Sequence, residues 1–466
     1  MLPLSLCANA TILPWLRLCC AEPMDAHASN AESTRENVRV MGYGRVVSLE
    51  SLPPISWASP GLRDLAQSRF HQWLALVLGA GVIVFFWLMY FHTGSRGDHR
   101  ALYYLSVFLP FFAFVAWRAD VWRTLTRSFL FLLMLLSWGL ALLTAFIGPG
   151  GVDLSEIYDV LRYGIVLITF FGVLAYVSVN YPAYLSWLLL ALVVGITVAA
   201  VYQSTVYFLG QEGFSLSGRL RTGLAHLDNP IRSGQAFAAG AVIASALALK
   251  SRSKSLAIGF WLAAAICLVP VVLGQSRGPL VAVVVAILVL LALERHWKKL
   301  VIALVGGAVM GAALLGADTG ARDLAESRNV DVRLAMYPVS WDAAMERPVF
   351  GQGWIRTDQI ICPTTDRESN PHNTYMTVLI QAGFVGLFVF LLILVLALRI
   401  GWRECARPAP VLAAFGVLVF YAVHGIPTSE FFFANPGRVW TVFVLPVGIL
   451  MMYEIRQRMA GANPSG

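Results

Sequence analysis

The sequence predicts an all-α, polytopic membrane protein with about twelve transmembrane helices. Its composition is the first reason, because 58% of the 466 residues are hydrophobic and only 13% are charged. A water-soluble domain of this length would carry more charge and fewer apolar residues. The second reason is a series of apolar runs long enough to cross the hydrocarbon core of a bilayer, which takes about 20 helical residues. The third is a mean hydropathy of +0.70 over the whole chain.

Twelve apolar runs are candidate spans, separated mostly by short polar segments. They lie near residues 72–92, 101–117, 128–147, 159–179, 183–208, 233–249, 255–275, 279–294, 299–315, 374–398, 409–424 and 437–454. The predicted organisation is an N-terminal segment (1–70, expected to be flexible), spans one to nine (71–315), a large loop (316–373), spans ten to twelve (374–455) and a tail (456–466). Because twelve is even, both termini should lie on the same side.

Basic residues in the short loops predict which side is cytoplasmic. The segments RADVWRTLTR, KSRSK, ERHWKK and RIGWREC fall on one side, together with the N-terminal segment and the tail. That side also carries all four lysines, Lys250, Lys254, Lys298 and Lys299. The opposite side holds GPGGVDLSEIYD, which has no basic residue. Both termini are therefore expected in the cytoplasm.

The opposite, outer side is unusual because its positive charges are all arginine. They are Arg219, Arg221, Arg232, Arg277, Arg322, Arg328, Arg333, Arg347, Arg356 and Arg367. A guanidinium group is planar, always charged and suited to two parallel hydrogen bonds with phosphate. The set indicates a phosphate-bearing anionic ligand on this side. The alternative is ordinary solvated loop charge, in which these arginines pair with Glu212, Asp228, Asp331 or Glu346.

Charge and cysteine usage exclude other classes of protein. A net charge of +8 would suggest nucleic acid as a partner of a soluble protein, but here it fits loops that face anionic lipid and anionic substrate. The six cysteines form no CxxC pair. A disulfide framework and a cysteine–histidine zinc site are therefore not expected.

The large loop between spans nine and ten is expected to carry functional residues, since long loops in compact proteins usually do. Leu334, Tyr337, Trp341 and Met345 recur at helical spacing and predict a short amphipathic helix along the membrane surface. Pro348 should end this helix. The glycines of the following GQG triplet, residues 351–353, allow a tight turn or the close approach of a ligand.

A histidine stands at the entrance to span ten, in the stretch NPHNTY (370–375). His372 could simply make a hydrogen bond at a helix entrance. Three features favour a proton acceptor instead: the positive end of the helix, the arginine-rich side, and a side-chain pKa normally near 6.5. Asn373 is expected to cap the helix or to orient the ring.

Four stretches occur together in the order and spacing of one family. They are GRLRTGLAHLDNPI (218–231), GQSRGPLVAVVVAILVLL (274–291), RLAMYPVSWDAAMERPVFGQGW (333–354) and PHNTYMTVLIQAGFVGLFVF (371–390). The SRG triplet, the RPxxGxGW block and the HNxY block make the chain similar to the O-antigen ligase/polymerase superfamily of bacterial envelope enzymes. The resemblance covers roughly residues 70–455.

This resemblance implies an inner-membrane glycosyltransferase of the GT-C type that works on the periplasmic face. Such an enzyme takes a glycan from undecaprenyl diphosphate and, in an O-antigen ligase, transfers it with inversion to a sugar hydroxyl of lipid A-core. His372 would be the catalytic base, supported by Asn373 and Tyr375. Arg221, Arg277 and Arg333 would bind the diphosphate, with Arg219 as a further candidate. The family implies no metal or other cofactor, and the sequence shows no paired acidic motif on the outer side.

Three alternatives stay open at this point. A polymerase of the same superfamily would use another lipid-linked repeat as acceptor, and a third member type glycosylates Ser or Thr of periplasmic proteins. A transporter or flippase of the lipid-linked glycan belongs to a different class. It should place charges near the midplane and show paired, broken helices. Arg162 is the main candidate for such an intramembrane charge.

Overall fold

A computed structural model describes most of the chain from residue 69 onward. The described residues are 69–148, 152–210, 219–222, 224, 227–299, 301, 330–353, 360–361, 368–404, 408–429, 433 and 435–461. The N-terminal segment, nearly all of the ninth predicted span and the end of the tail lie outside them. So do Arg322, Arg328, Arg356 and Arg367 of the predicted outer arginines.

The described part of the chain is mostly helical. Its helices are α1 (Arg69–Leu88), α2 (Arg96–Phe114), α3 (Ala119–Leu125), α4 (Phe129–Ile147), α5 (Leu154–Asn180), α6 (Tyr184–Leu209), α7 (Pro230–Lys250), α8 (Lys254–Leu273), α9 (Arg277–Leu293), α10 (Val330–Glu346), α11 (Thr374–Glu404), α12 (Ala409–His424) and α13 (Leu445–Gly461). Five-residue π-helical segments lie inside α2 (Tyr104–Phe108) and directly before α13 (Trp440–Val444). Two short strands, β1 (Ile360–Ile361) and β2 (Glu368–Ser369), pair antiparallel in the large loop.

Seven of the described helices are long and apolar enough to cross a membrane, and an eighth span results if α2 and α3 count as one. These two helices meet at a bend of 110°. The helices α9 and α12 are apolar but shorter, at 17 and 16 residues. The multi-pass membrane architecture is therefore confirmed. The number twelve and the assignment to the GT-C type stay predictions.

The helix α7 lies at the centre of the bundle. In its most apolar window 89% of the residues are buried, compared with 28% for the neighbouring α8. The stretch AFAAGAVIASALA explains this position, because small side chains let neighbouring helix backbones approach closely in a membrane. Since α7 begins at Pro230 and α9 begins at Arg277, the segments before both helices lie at the same end of the bundle.

The lysines mark the other end of the bundle. Lys250, the last residue of α7, forms an ion pair of 2.8 Å with Glu294, which follows α9. The ammonium group of Lys299 lies 5.7 Å from the centre of the Trp261 ring. The loops that carry lysine thus lie at one end of the described helices. The segments that carry Arg219, Arg221 and Arg277 lie at the other end, as the sequence predicts.

The tenth predicted span is not a continuous helix. Gly383 has φ 64° and ψ −167°, which breaks α11 into a short first part, 374–382, and a long second part, 384–404. The backbone of the turn 348–353 fills the break. Phe384 N–H donates to the Pro348 carbonyl at 2.7 Å, and Gln352 N–H donates to the Ile380 carbonyl at 2.7 Å. Backbone groups freed by the break are therefore satisfied inside the protein, as a membrane requires.

Candidate functional site

His372 lies in a tight turn just before the first part of α11. Its φ of 50° is in the left-handed region, which side chains other than glycine rarely adopt. The turn is held by its N–H, which donates to Asn370 Oδ1 at 3.0 Å. A non-glycine residue in this region costs on the order of 1–2 kcal/mol, so the surrounding structure must enforce it. The ring itself is half-buried at this end of the bundle.

Asn373 has the geometry of a helix N-cap. Its Oδ1 accepts a hydrogen bond from Met376 N–H at 3.0 Å, which satisfies one of the free donors at the start of α11. Its own N–H donates to Ser429 Oγ at 3.1 Å. The side chain of Asn373 therefore holds the helix start, while its backbone ties that start to the segment that follows α12.

The segment 425–429 fixes the position of the histidine turn. Thr374 N–H donates to the Gly425 carbonyl at 2.8 Å, and Thr374 Oγ1 donates to the Thr428 carbonyl at 2.7 Å. Tyr375 adds a third connection, since its hydroxyl donates to the Ala422 carbonyl in α12 at 2.7 Å. Tyr375 thus anchors two helices to each other, a structural task compatible with the supporting role expected for it.

Arg219 holds the turn of the SRG triplet. Its Nε donates to the Gly274 carbonyl at 2.7 Å, and its Nη2 donates to Ser276 Oγ at 2.9 Å. The backbone is tied at the same place, because Leu220 N–H donates to the Leu273 carbonyl at 3.0 Å. Two donors of Arg219 are therefore occupied by the protein, so this residue positions the turn in front of α9.

Arg277 is the first residue of α9 and its side chain is exposed. The helix start packs against the end of α12, since a Cβ atom on Gly278 would lie 3.1 Å from Pro427 Cγ and 3.5 Å from His424 Nδ1. Pro427 belongs to the same segment that holds the histidine turn. The starts of α9 and α11 therefore contact one common element, and the structure brings Arg277 and His372 to the same region.

Arg221 lies two residues beyond Arg219, and its side chain is also exposed. The next residue, Thr222, lines a partly open cavity of about 310 Å³. The other lining residues are Tyr90, Phe91, Thr93, Val198, Tyr202, Gln203, Val206 and Leu224. An apolar cavity thus opens beside a guanidinium group, between α1, α6 and the segment in front of α7.

The backbone of Arg333 gives its position in the fold. It lies in α10, whose buried residues Met336 and Ala344 pack in one cluster with Leu379 and Ile380 of the first part of α11. The predicted helix is therefore present, and it lies beside the short helix that follows His372. Leu334 and Trp341 of the predicted apolar stripe are 58% and 47% exposed. The position of this helix along a membrane surface stays a prediction.

The remaining described arginines of the outer set have local partners. Arg232 forms an ion pair with Asp228 at 3.4 Å. This pairing is what the alternative explanation, ordinary loop charge, predicts for this residue. Arg347 donates from Nη1 to the Ile147 carbonyl at the end of α4, at 2.7 Å. These two residues thus make contacts that support the fold.

The sequence did not predict what the glycines of the large loop contact. Gly351 and Gly353 have φ values of 74° and 100°. A side chain on Gly351 would overlap the backbone of Gln381, and one on Gly383 would overlap the backbone of Val349. The close approach is therefore between two protein backbones, not between a backbone and a ligand. A glycine inside the run QAGFVG was the available signal for the break.

Acidic and other metal-ligating side chains do not converge in the described part of the chain. Within those residues, no three His, Cys, Asp or Glu side chains come together in a way that could hold a metal ion. The proposed site instead contains arginine, histidine, serine and backbone groups. Metal independence stays a prediction.

Comparisons with known proteins find sequence similarity over the same segments. A family model described as O-antigen ligase matches residues 262–391, which include the SRG turn, α9, α10, the histidine turn and the break in α11. An O-antigen ligase from Pseudomonas aeruginosa is 25% identical over 395 residues, which cover 84% of this chain and 92% of that protein. The motifs, the family model and this relative agree, and all three make the chain similar to the O-antigen ligase superfamily.

Proposed function

We propose that the protein is an O-antigen ligase, a metal-independent, inverting glycosyltransferase of the bacterial inner membrane. Its donor is an O-antigen polysaccharide on undecaprenyl diphosphate, and its acceptor is a sugar hydroxyl of lipid A-core. The active site faces the periplasm, and both termini face the cytoplasm. Similarity to the O-antigen ligase superfamily supports this class of reaction.

One observation carries the proposal: the starts of α9 and α11 meet at the segment 425–429. Arg277 opens one helix and His372 precedes the other. Both helix starts direct a positive dipole end toward the same region. A diphosphate is favoured in such a place. The two requirements of the reaction, an anion site and a base, therefore coincide.

The chemistry is a single displacement at the anomeric carbon. The acceptor hydroxyl oxygen forms a bond to that carbon, and the bond from the carbon to the diphosphate oxygen breaks. The hydroxyl proton passes to a ring nitrogen of His372, and the electron pair leaves with the lipid diphosphate. Attack opposite the leaving group inverts the configuration. A positioned general base contributes a factor of about 10²–10⁴ to the rate.

Guanidinium groups stabilise the leaving group. Arg277 and Arg221 have exposed side chains, Arg219 holds the SRG turn, and Arg333 lies in α10. Fixed donors aimed at developing charge lower the barrier without reorganisation, and each is worth about 10²–10³ in rate by analogy with oxyanion-hole donors. Their number makes a metal ion unnecessary for charge neutralisation.

The cavity beside Thr222 suits the first isoprene units of the donor. Its lining is largely apolar, and Val198, Tyr202 and Val206 are 55%, 59% and 48% exposed on the outside of α6. A polyprenyl chain can thus enter from the lipid while its diphosphate stays at Arg221. The amphiphilic character of the donor matches this change from apolar to charged lining.

The experiment that tests the function is a transfer assay with purified protein. A defined undecaprenyl-diphosphate glycan is the donor, and lipid A-core or a second lipid-linked glycan is offered separately, without added metal. Glycosylated lipid A-core is the expected product. Extension of the lipid-linked glycan alone would identify a polymerase, and the absence of any transfer with either acceptor would contradict the proposal.

A further inference from the structure

A second cationic cluster lies between α2 and α5, apart from the proposed active site. It consists of Arg100, Tyr104, Tyr158, Arg162 and Tyr163, and we call it the Arg100–Arg162 cluster. The proposed transfer reaction uses none of these residues. Arg162 is also the residue that the sequence singles out as a charge inside the membrane.

Arg162 is held in one orientation by its neighbours. Its Nη2 donates to Asp159 Oδ1 at 2.6 Å. Its guanidinium carbon lies 5.6 Å from the centre of the Tyr158 ring and 5.0 Å from that of Tyr163. The Tyr163 hydroxyl in turn accepts a hydrogen bond from Asn435 Nδ2 at 3.2 Å. A charge fixed in this way is suited to bind a ligand with little loss of entropy.

Arg100 adds a second guanidinium group without a matching carboxylate. It lies in electrostatic range of Arg162, Tyr104 and Tyr163, and it forms no ion pair with any residue that the structure describes. The one carboxylate paired with the cluster in those residues is Asp159, which is bound to Arg162. The cluster therefore carries excess positive charge close to lipid.

Three buried polar atoms of the cluster have no hydrogen-bond partner among the described residues. They are Arg100 Nε, Tyr104 Oη and Arg162 Nε. Buried polar groups in proteins are nearly always paired, so three such atoms in one cluster need an explanation. All three can donate a hydrogen bond. An acceptor-rich anion is the group that would satisfy them.

The backbone of α2 is irregular at the same place. Tyr104 begins the π-helical segment Tyr104–Phe108. Single π-helical turns inside α-helices are frequent at functional sites, because they change the direction of a side chain. Here the irregularity coincides with the unpaired hydroxyl of Tyr104.

The cluster is flanked by side chains that face the lipid. On α2, Leu105 and Leu109 are 66% and 58% exposed, and on α5, Leu161 and Ile165 are 36% and 39% exposed. The two helices are in contact here, since the Tyr103 hydroxyl donates to the Val166 carbonyl at 3.3 Å. A ligand at the cluster would therefore place its polar group between α2 and α5 and its apolar part along their outer surfaces.

We propose that the Arg100–Arg162 cluster binds the phosphate group of a membrane amphiphile. Two guanidinium groups supply charge-assisted hydrogen bonds to phosphate oxygens, and the Tyr104 hydroxyl supplies one more. The exposed leucine and isoleucine side chains accommodate the acyl chains. The ligand is a phosphorylated glycolipid or an anionic phospholipid, which share this chemistry.

The test is a binding measurement on the full-length protein in a neutral detergent. The probes are dioctanoyl phosphatidic acid, dioctanoylglycerol and inorganic phosphate, with lipid A as a phosphorylated glycolipid. Phosphatidic acid should bind measurably, and dioctanoylglycerol should not. Arg162→Gln and Arg100→Gln should each weaken binding of phosphatidic acid about 10-fold to 100-fold, as expected when a charge-assisted hydrogen bond is lost. A higher affinity for lipid A would identify the glycolipid as the source of the phosphate, and equal affinities would identify a general phospholipid site.

Two controls keep the proposal falsifiable. Arg96→Gln removes a neighbouring guanidinium that is already paired with Asp228 at 3.4 Å, and it should leave binding unchanged. Tyr104→Phe removes only a hydroxyl, so it should fold and should weaken binding severalfold. Equal affinity of wild type, Arg100→Gln and Arg162→Gln would overturn the proposal, as would equal affinity for inorganic phosphate and phosphatidic acid. Because no transfer is measured, His372→Asn should retain this binding whether or not the proposed function is correct.

Discussion

The backbone conformation of His372 connects the fold to the proposed chemistry. A histidine with φ 50° is strained, and Asn370 with the segment 425–429 maintains this strain. Such enforcement is expected where the direction of a side chain matters more than local stability.

Replacing the imidazole should abolish proton transfer but preserve the turn. His372→Asn is the suitable change, because asparagine tolerates the left-handed region better than alanine does. The transfer rate of the purified protein should fall by a factor of about 10²–10⁴, the usual contribution of a general base. His296→Asn is the matched control, since this histidine is also half-buried but lies at the lysine-bearing end. Full activity of His372→Asn would exclude the base role.

The type of cation at position 277 should matter as much as its charge. Arg277→Lys keeps the charge but cannot form two parallel N–H···O bonds with one phosphate. We expect kcat/KM for the lipid-linked donor to fall about 10-fold to 100-fold. Arg295→Lys, just beyond the opposite end of the same helix, should have no effect. If lysine substitutes fully at position 277, the contact with phosphate is not bidentate.

Among the elements, the broken helix α11 has the largest influence on the site. Its first part connects the histidine turn to α10, and its break is filled by the turn 348–353. The match of the family model includes both parts of this arrangement. The short helix is thus positioned by a loop, which explains why the RPxxGxGW block belongs to the same motif set as the histidine.

A side chain at position 383 should push α11 and the turn 348–353 apart. In Gly383→Ala the left-handed backbone becomes strained, and the new Cβ overlaps the backbone of Val349. The expected loss of stability is about 2–5 kcal/mol, since strain and overpacking add. Thermal unfolding in detergent measures it as a lower Tm. Gly139→Ala in α4, where a Cβ would meet nothing within 4 Å, is the control and should unfold like the wild type.

The sequence predicted local features of the site well and long-range ones poorly. The run 279–294 predicted that a helix begins beside Arg277, and Asn373 was predicted as a cap because such signals are local. The contact of Arg219 with Ser276 joins residues 57 positions apart, and no periodicity reports it. The break at Gly383 was missed because one glycine barely lowers the mean hydropathy of a long apolar run.

The whole molecule separates two kinds of charged surface at the ends of one helical bundle. One end carries lysines, and the other carries the histidine turn and the arginines of the proposed site. A transporter or flippase should show paired, broken helices near the midplane. Among the described residues, α11 is broken at Gly383 and leads to the end of the bundle, and α2 and α3 form a second, bent pair. This asymmetry favours an enzyme that acts at one membrane surface.

Charge neutralisation by arginine leads to a prediction for the complete enzyme. Transfer by the purified protein should continue unchanged in excess EDTA, because fixed guanidinium groups replace the divalent cation that many sugar transferases use. The product is quantified on gels with and without chelator. Loss of transfer that is restored by added Mg²⁺ or Mn²⁺ would show that a metal ion takes part.

The central claim is that the imidazole and the guanidinium groups share one extracytoplasmic site, and cysteine labelling tests it most directly. In a background without native cysteines, Ile426→Cys probes the segment that holds the histidine turn, and Trp297→Cys probes the lysine-bearing end. These side chains are similarly exposed, at 54% and 60%. A maleimide that cannot cross the inner membrane should label position 426 in intact spheroplasts and position 297 only after permeabilisation. The reverse pattern would place His372 in the cytoplasm and contradict the account.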